Sequence, residues 1–280
     1  MSTTITEPAT SRQRLTAPVE LPRRWMWFFR RFCNFVRRYL RKHFHGVRLS
    51  KSGHPFPPPD GPLLIVLNHP SWWDPMICFV LSELISERDH FGAMDAVAVK
   101  QYGIFKKLGF VGVDTKSLRG AAEFLRTGIT ILSKPDRVFW VTGQGRFTDV
   151  RERPLALAAG IGHLASRIPH GTVVPIAVEY TFWNERTPEA LVRVGEPLRV
   201  EEHPGLSAKE WTSLIEQSLT CALDGLSAEA VSRDPARFTD LVSGKTGVGG
   251  IYDLWRRLKT WVRGRKFDAS HEAASREKPQ

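Results

Sequence analysis

Five consecutive apolar residues, Leu63 to Leu67, break off at Asn68 and His69. The stiff loop GHPFPPPDGP (53–62) precedes them. A short run of this kind reads as a strand buried on both faces, the sort found inside parallel sheets. Comparable runs recur at 138–142, 173–180 and 191–194, with further short strands predicted at 96–100 and 110–113. Helical patterns fall between them at 74–86, 119–132 and 153–166, with one helical turn at 105–108. Ser207-Ala-Lys-Glu210 is a capping box that opens a longer helix carrying Trp211, Leu214, Ile215, Ala222 and Leu226. Short apolar strands alternating with helices predict an α/β fold, with a mixed, largely parallel sheet flanked by helices. The domain so defined runs over 53–242.

Basic, aromatic segments flank that domain. Residues 1–22 are rich in Ser, Thr and Pro and read as a disordered tail without the apolar core of a signal peptide. Residues 23–48 hold nine Arg or Lys and no acid. Trp25, Phe28, Phe29, Phe32, Val36, Tyr39 and Leu40 recur there at helical spacing, and Gly46 is a plausible stop. Such a helix either packs on its own domain or lies in a membrane interface, aromatics among the headgroups and guanidinium groups on lipid phosphates. The wholly basic charge favours the interface. IYDLWRRLKTWVRGRKF (251–267) reads as a second basic amphipathic helix, and 268–280 as a polar disordered tail. Over the whole chain 40 Lys and Arg face 29 Asp and Glu, for a net charge of +11, which suggests an anionic partner. No run of about 18 apolar residues occurs, so no spanning helix is predicted. Cys33, Cys78 and Cys221 form neither a disulfide framework nor a metal spacing, and a reducing compartment is the default expectation. The Gly-Lys-Thr at 244–246 is not a phosphate-binding loop, because the glycine the motif needs at 239 is threonine.

Chemistry concentrates where the first strand ends. His69 stands where α/β proteins place their sites, and Asp74 follows five residues later, past Pro70. An Asp so placed can fold back on the imidazole, fix its tautomer and stabilise the imidazolium formed on proton uptake. The same residues also suit a strand-end His and a helix-capping Asp. No nucleophilic Ser or Cys sits in an elbow setting. A His–Asp pair without a protein nucleophile suggests that His69 activates a hydroxyl of the substrate.

The stretch NHPSWWD (68–74) resembles the N-H-x(4)-D motif of the glycerolipid acyltransferases, the lysophosphatidic acid acyltransferases and their relatives. VAVKQYGIFKKLGFVGVD (97–114) is similar to that family's second block, FWVTGQGRF (139–147) takes the place of the third, usually Phe-Pro-Glu-Gly-Thr-Arg, and VVPIAVEY (173–180) is similar to the fourth. The four blocks cover about 60–200. The resemblance implies a glycerol-3-phosphate acyltransferase-like fold and acyl transfer from acyl-CoA or acyl carrier protein to a lipid hydroxyl. It gives His69 the part of general base and Asp74 that of its orienter, with no cofactor and no metal. Asn68, Ser71, Trp73, Lys100, Thr115, Lys116, Arg119, Gln144, Gly145 and Arg146 become candidates for holding substrate. Trp72 and Trp73 suit either the core or the site.

Departures from the pattern touch the acceptor pocket. The second block usually carries Arg where Thr115 stands, with Lys116 or Arg119 as substitutes. The third usually carries Glu where Gln144 stands, and Arg146 comes one position earlier than usual. Replacing Glu by Gln keeps an acceptor oxygen, removes the charge and adds two donors. Arg146 also has a plain alternative, a surface ion pair with Asp149 or Glu152. The expectation is a monotopic phospholipid-synthesising enzyme on the cytoplasmic face of the cell membrane, docked on an anionic leaflet and not on nucleic acid. The same chemistry on a glycolipid or carotenoid glycoside is the first alternative. A basic membrane- or nucleic-acid-binding protein with a decayed site is the second.

Overall fold

The computed structural model describes residues 19–57, 60–114 and 116–244. Most of the 1–22 segment, the 251–267 helix, the 268–280 tail and Thr115 lie outside the described residues. Within 19–22, the Val19 N–H donates to Thr130 Oγ1 at 3.3 Å and Leu21 packs against the core.

The described residues build a nine-stranded mixed sheet in the order β4-β3-β5-β2-β6-β7-β1-β9, with β8 also paired to β6. The strands are β1 (Gly46–Ser50), β2 (Leu63–Leu67), β3 (Asp89–Asp95), β4 (Phe110–Val113), β5 (Arg137–Thr142), β6 (Thr172–Thr181), β7 (Glu189–Val194), β8 (Leu198–Arg199) and β9 (Phe238–Ser243). From β4 to β6 neighbouring strands run parallel. The β6–β7, β6–β8 and β1–β9 pairs are antiparallel. The helices are α1 (Met26–His43), α2 (Asp74–Ser82), α3 (Ala96–Gln101), α4 (Ile104–Lys107), α5 (Leu118–Ile131), α6 (Ala159–Ala165) and α7 (Ala208–Ser232).

Strand β2 lies in the middle of this sheet, and every one of its residues is buried. Leu64 and Val66 face a core shared with α5, α6 and α7. Leu63, Ile65 and Leu67 face the opposite core, shared with α1 and α2. A strand covered on both sides needs apolar residues at both parities, which is why its sequence does not alternate.

Helix α1 packs on its own domain while also presenting a second face. Phe29, Cys33, Val36 and Leu40 are buried, with Phe29 and Phe32 against Phe79 of α2. Trp27, Arg31, Phe35, Arg38 and Lys42 are exposed. At about 100° per residue these five fall opposite the buried four. Among the described residues no helix is long and apolar enough to cross a membrane.

Several elements differ from the sequence reading. The strand predicted at 96–100 is helix α3, because Asp95 caps it by accepting from the Val97 and Ala98 N–H groups at 2.8 and 3.2 Å. The strand beside β5 is instead β3, one element earlier, and only His90 and Phe91 of it are buried. The helix predicted from 153 starts at Ala159. Leu155 and Leu157 are buried in the irregular segment before it, around Ala156 at φ 53°. The Ala156 and Leu157 N–H groups donate to Glu216 of α7 instead of to a helix ladder. The 23–48 segment divides into α1 and strand β1, which joins the sheet between β7 and β9.

Candidate active site

The C-terminal ends of three strands bring polar residues to one place. Parallel pairing sets Leu67 of β2 beside Thr142 of β5 and Ile176 of β6. Each apolar run therefore hands over to polar residues at one edge: Asn68 and His69, Gly143 and Gln144, Glu179 and Tyr180. Asn68 is 2% exposed and locks this edge. Its Nδ2 donates to Val178 O and its Oδ1 accepts from Val178 N, both at 2.8 Å, so its amide is committed to the sheet.

His69 Nδ1 lies 2.6 Å from Asp74 Oδ2. Asp74 is the first residue of α2 and is fully buried, and the helix start delivers it to the imidazole. The Ser71 N–H donates to the same carboxylate oxygen at 3.2 Å, and the Tyr180 hydroxyl donates to Oδ1 at 2.7 Å. Burial first, and then the Asp74 charge, push the Tyr180 phenol well above its ordinary range, so Tyr180 acts as a donor. The Ser71 N–H, the Tyr180 hydroxyl and His69 Nδ1 thus converge on a carboxyl group that water does not reach. An Nδ1–H donated to that carboxylate is the tautomer whose Nε2 keeps its lone pair.

The third-block turn supports His69 from the other side. Gln144 Oε1 accepts from the His69 N–H at 2.8 Å, and the Thr148 N–H donates to His69 O at 2.9 Å. Gly145 sits at φ 64°, the left-handed region that glycine takes without steric cost. Phe147, 59% exposed, sets its ring 4.4 Å from the imidazole at a tilt of 41°. Arg146 turns away and pairs with Glu152 at 2.6 Å on the surface.

Trp73 and Trp72 stack on each other at 4.4 Å. Trp73 is half-buried among Tyr39, His43 and Phe44, which places the end of α1 beside the His69 loop. Trp72 is 54% exposed. A cleft next to the dyad is lined by Ser71, Trp73, Phe147, Asp149, Glu179 and Phe182, among others. An apolar cavity under the dyad is lined by Phe29, Leu67, Pro75, Phe79, Phe110 and Thr142.

The structure therefore gathers His69, Asp74, Asn68, Ser71, Trp73, Gln144 and Gly145. Lys100 on α3, Lys116 in the turn before α5 and Arg119 on α5 are exposed, and none of the three lines the cleft. Sequence reasoning missed Tyr180 and Phe147. Tyr180 carries the same signal as His69, a polar residue ending a buried apolar strand. Among the described residues no cluster of His, Cys, Asp and Glu could hold a metal ion.

Residues 44–179 match the Acyltransferase family model, a span that includes the dyad and the C-terminal ends of β2 and β5. That match supports an acyltransferase domain in this stretch of the chain. The chain is also similar in structure to the 1-acyl-sn-glycerophosphate (LPA) acyltransferase PlsC from Thermotoga maritima. The TM-score is 0.50 at 14% sequence identity, over 72% of this chain and 80% of that one. At that identity the likeness is one of fold. No curated protein sequence matches this chain.

Proposed function

We propose that this chain moves a fatty acyl group from a thioester, carried by coenzyme A or acyl carrier protein, to a lipid hydroxyl, with His69 as general base. The observation that carries the reading is the 2.6 Å Nδ1–Asp74 contact, which suits a tautomer with Nε2 free to take a proton, in a pair whose neighbours Ser71, Phe147 and Tyr180 line a cleft. Nε2 takes the hydroxyl proton as the acceptor oxygen attacks the thioester carbon. The tetrahedral intermediate collapses with cleavage of the C–S bond, and the departing thiolate takes the proton from the imidazolium. Ester and thiol are the products, and His69 returns to its starting tautomer. Asp74, held by Tyr180 and Ser71, stabilises the transient imidazolium as in other His–Asp pairs.

The apolar cavity beside Leu67 and Pro75 suits the donor's acyl chain, since Phe29, Phe79, Phe110 and Trp140 line it. The exposed Trp27, Arg31, Phe35, Arg38 and Lys42 face of α1 suits the interface of an anionic leaflet, on the cytoplasmic face of the cell membrane. Because α1 ends against Trp73, docking there would bring lipid acceptors to the cleft.

The test is acyl transfer by the purified chain from a long-chain acyl-CoA to lipid acceptors, compared between wild type and His69→Gln. The variant is expected to lose at least about a hundredfold in kcat, the usual contribution of a general base. Undiminished transfer by the variant rules His69 out as the base.

A further inference from the structure

The cleft beside His69 carries a charge pattern that bears on the acceptor's headgroup. A phosphate monoester calls for guanidinium or ammonium donors free to make bidentate or point-charge contacts. The arginines of the third-block loop are all engaged. Arg146 pairs with Glu152, Arg151 binds Asp149 through two contacts at 2.8 and 2.7 Å, and Arg153 pairs with Asp224 at 2.5 Å. Of these only Arg151 lines the cleft, and its partner Asp149 lines it too. Glu179 adds a second carboxyl group, one that burial raises above the usual carboxylate range. In the third-block alignment Phe147 takes the place of the usual Arg, and its ring lies 4.4 Å from the imidazole.

What the cleft offers instead is flat apolar surface beside an acceptor. Trp73, Phe147 and Phe182 supply aromatic faces, and Glu179 supplies a carboxyl group, while Asp149 is taken up by Arg151. A sugar ring has the complementary make-up, with C–H faces that pack on aromatics and a rim of hydroxyls that donate to carboxylates. We propose that the acceptor is a neutral glycosylated lipid, acylated on a sugar hydroxyl, and not a lipid phosphate monoester. This rests on the reading of His69 as the base for acyl transfer. The step is unchanged: the sugar O–H proton passes to Nε2, the oxygen bonds to the acyl carbon, and the thiol leaves.

The experiment gives the purified full chain a long-chain acyl-CoA and either a monoglucosyl diacylglycerol or lysophosphatidic acid, each in the same neutral detergent micelles. The glycolipid is expected to show kcat/KM at least about tenfold higher. A kcat/KM for lysophosphatidic acid that equals or exceeds it overturns the proposal while leaving His69-dependent acyl transfer standing. Acylation of neither lipid overturns both readings together. Phe147→Arg provides a second arm, and the exposure of Phe147 leaves the fold undisturbed. Restoring the cation should move the acceptor ratio about tenfold toward lysophosphatidic acid. An unmoved ratio removes Phe147 as the discriminating residue, and with it the proposal.

Discussion

Tyr180 shows how much of the dyad's geometry hangs on one hydroxyl. Asp74 is fully buried, so each donor to its carboxylate replaces water that cannot reach it. Deleting the Tyr180 hydroxyl leaves Oδ1 without its 2.7 Å partner. A hydrogen bond to a buried charge contributes about 1.5–3 kcal/mol, so Tyr180→Phe should lower kcat by about ten- to a hundredfold. The ring still packs on Phe44, so KM should change little. Steady-state kinetics decide it, and a variant with wild-type kcat would show that Tyr180 does not position Asp74. His90 supplies a different residue-scale expectation. It is 4% exposed, its Nε2 lies 3.1 Å from Ile85 O, and its Nδ1 accepts from Trp140 Nε1–H at 3.1 Å. Both ring nitrogens are satisfied only in the neutral form. Burial, aided by the Arg24 charge, lowers its pKa to about 3. Below an unfolded-state pKa of about 6.5 the unfolded chain therefore binds a proton that the folded chain refuses. Stability should be fully present above about pH 6.5 and fall as pH drops toward 3, by up to about 1.4 kcal/mol per pH unit from this group. Urea midpoints measured across that range should fall for the wild type and less steeply for His90→Gln. Parallel slopes would assign the acid sensitivity to other groups.

Elements were legible wherever burial was symmetric. β2, β5 and β6 are buried on both faces, so their sequences are continuous apolar runs and their limits read to within a residue or two. β3 was not legible, since DHFGAMD lies toward the sheet edge and alternates charge, small residues and only two buried side chains. The apolar signal there came from Val97 and Val99, which belong to a helix that Asp95 starts. β1 and β9 were hidden for a similar reason. Arg48 of β1 is buried beside Glu189, with Nε to Oε2 at 2.9 Å, and a strand whose interior holds an ion pair does not look apolar. The dyad was legible because His69 and Asp74 are close in sequence and brought together by one turn. Tyr180 joins them across 106 residues, through the register of β2 with β6, which no local pattern encodes. Gln144 arrives the same way, through the pairing of β2 with β5.

At the scale of the whole molecule, α1 joins the core to the outside. Its buried face of Phe29, Cys33, Val36 and Leu40 makes it part of the domain, and its opposite face alternates Trp27, Arg31, Phe35, Arg38 and Lys42. Changes on that outer face leave the core intact, so they separate membrane binding from folding. A basic side chain near an anionic leaflet contributes about 1 kcal/mol. Arg31→Gln with Arg38→Gln should therefore weaken binding to phosphatidylserine-containing vesicles about thirtyfold. The urea midpoint should stay where it is. Trp27→Ala with Phe35→Ala should weaken binding through lost apolar burial, an effect that added salt does not screen. Vesicle flotation at two ionic strengths distinguishes the contributions. If the chain floated equally on neutral and anionic vesicles, the guanidinium groups would have no part in docking. If it ignored vesicles but bound DNA at matched salt, the basic face of α1 would belong to a nucleic-acid site, and the route from leaflet through Trp73 to the His69 cleft would have to be abandoned.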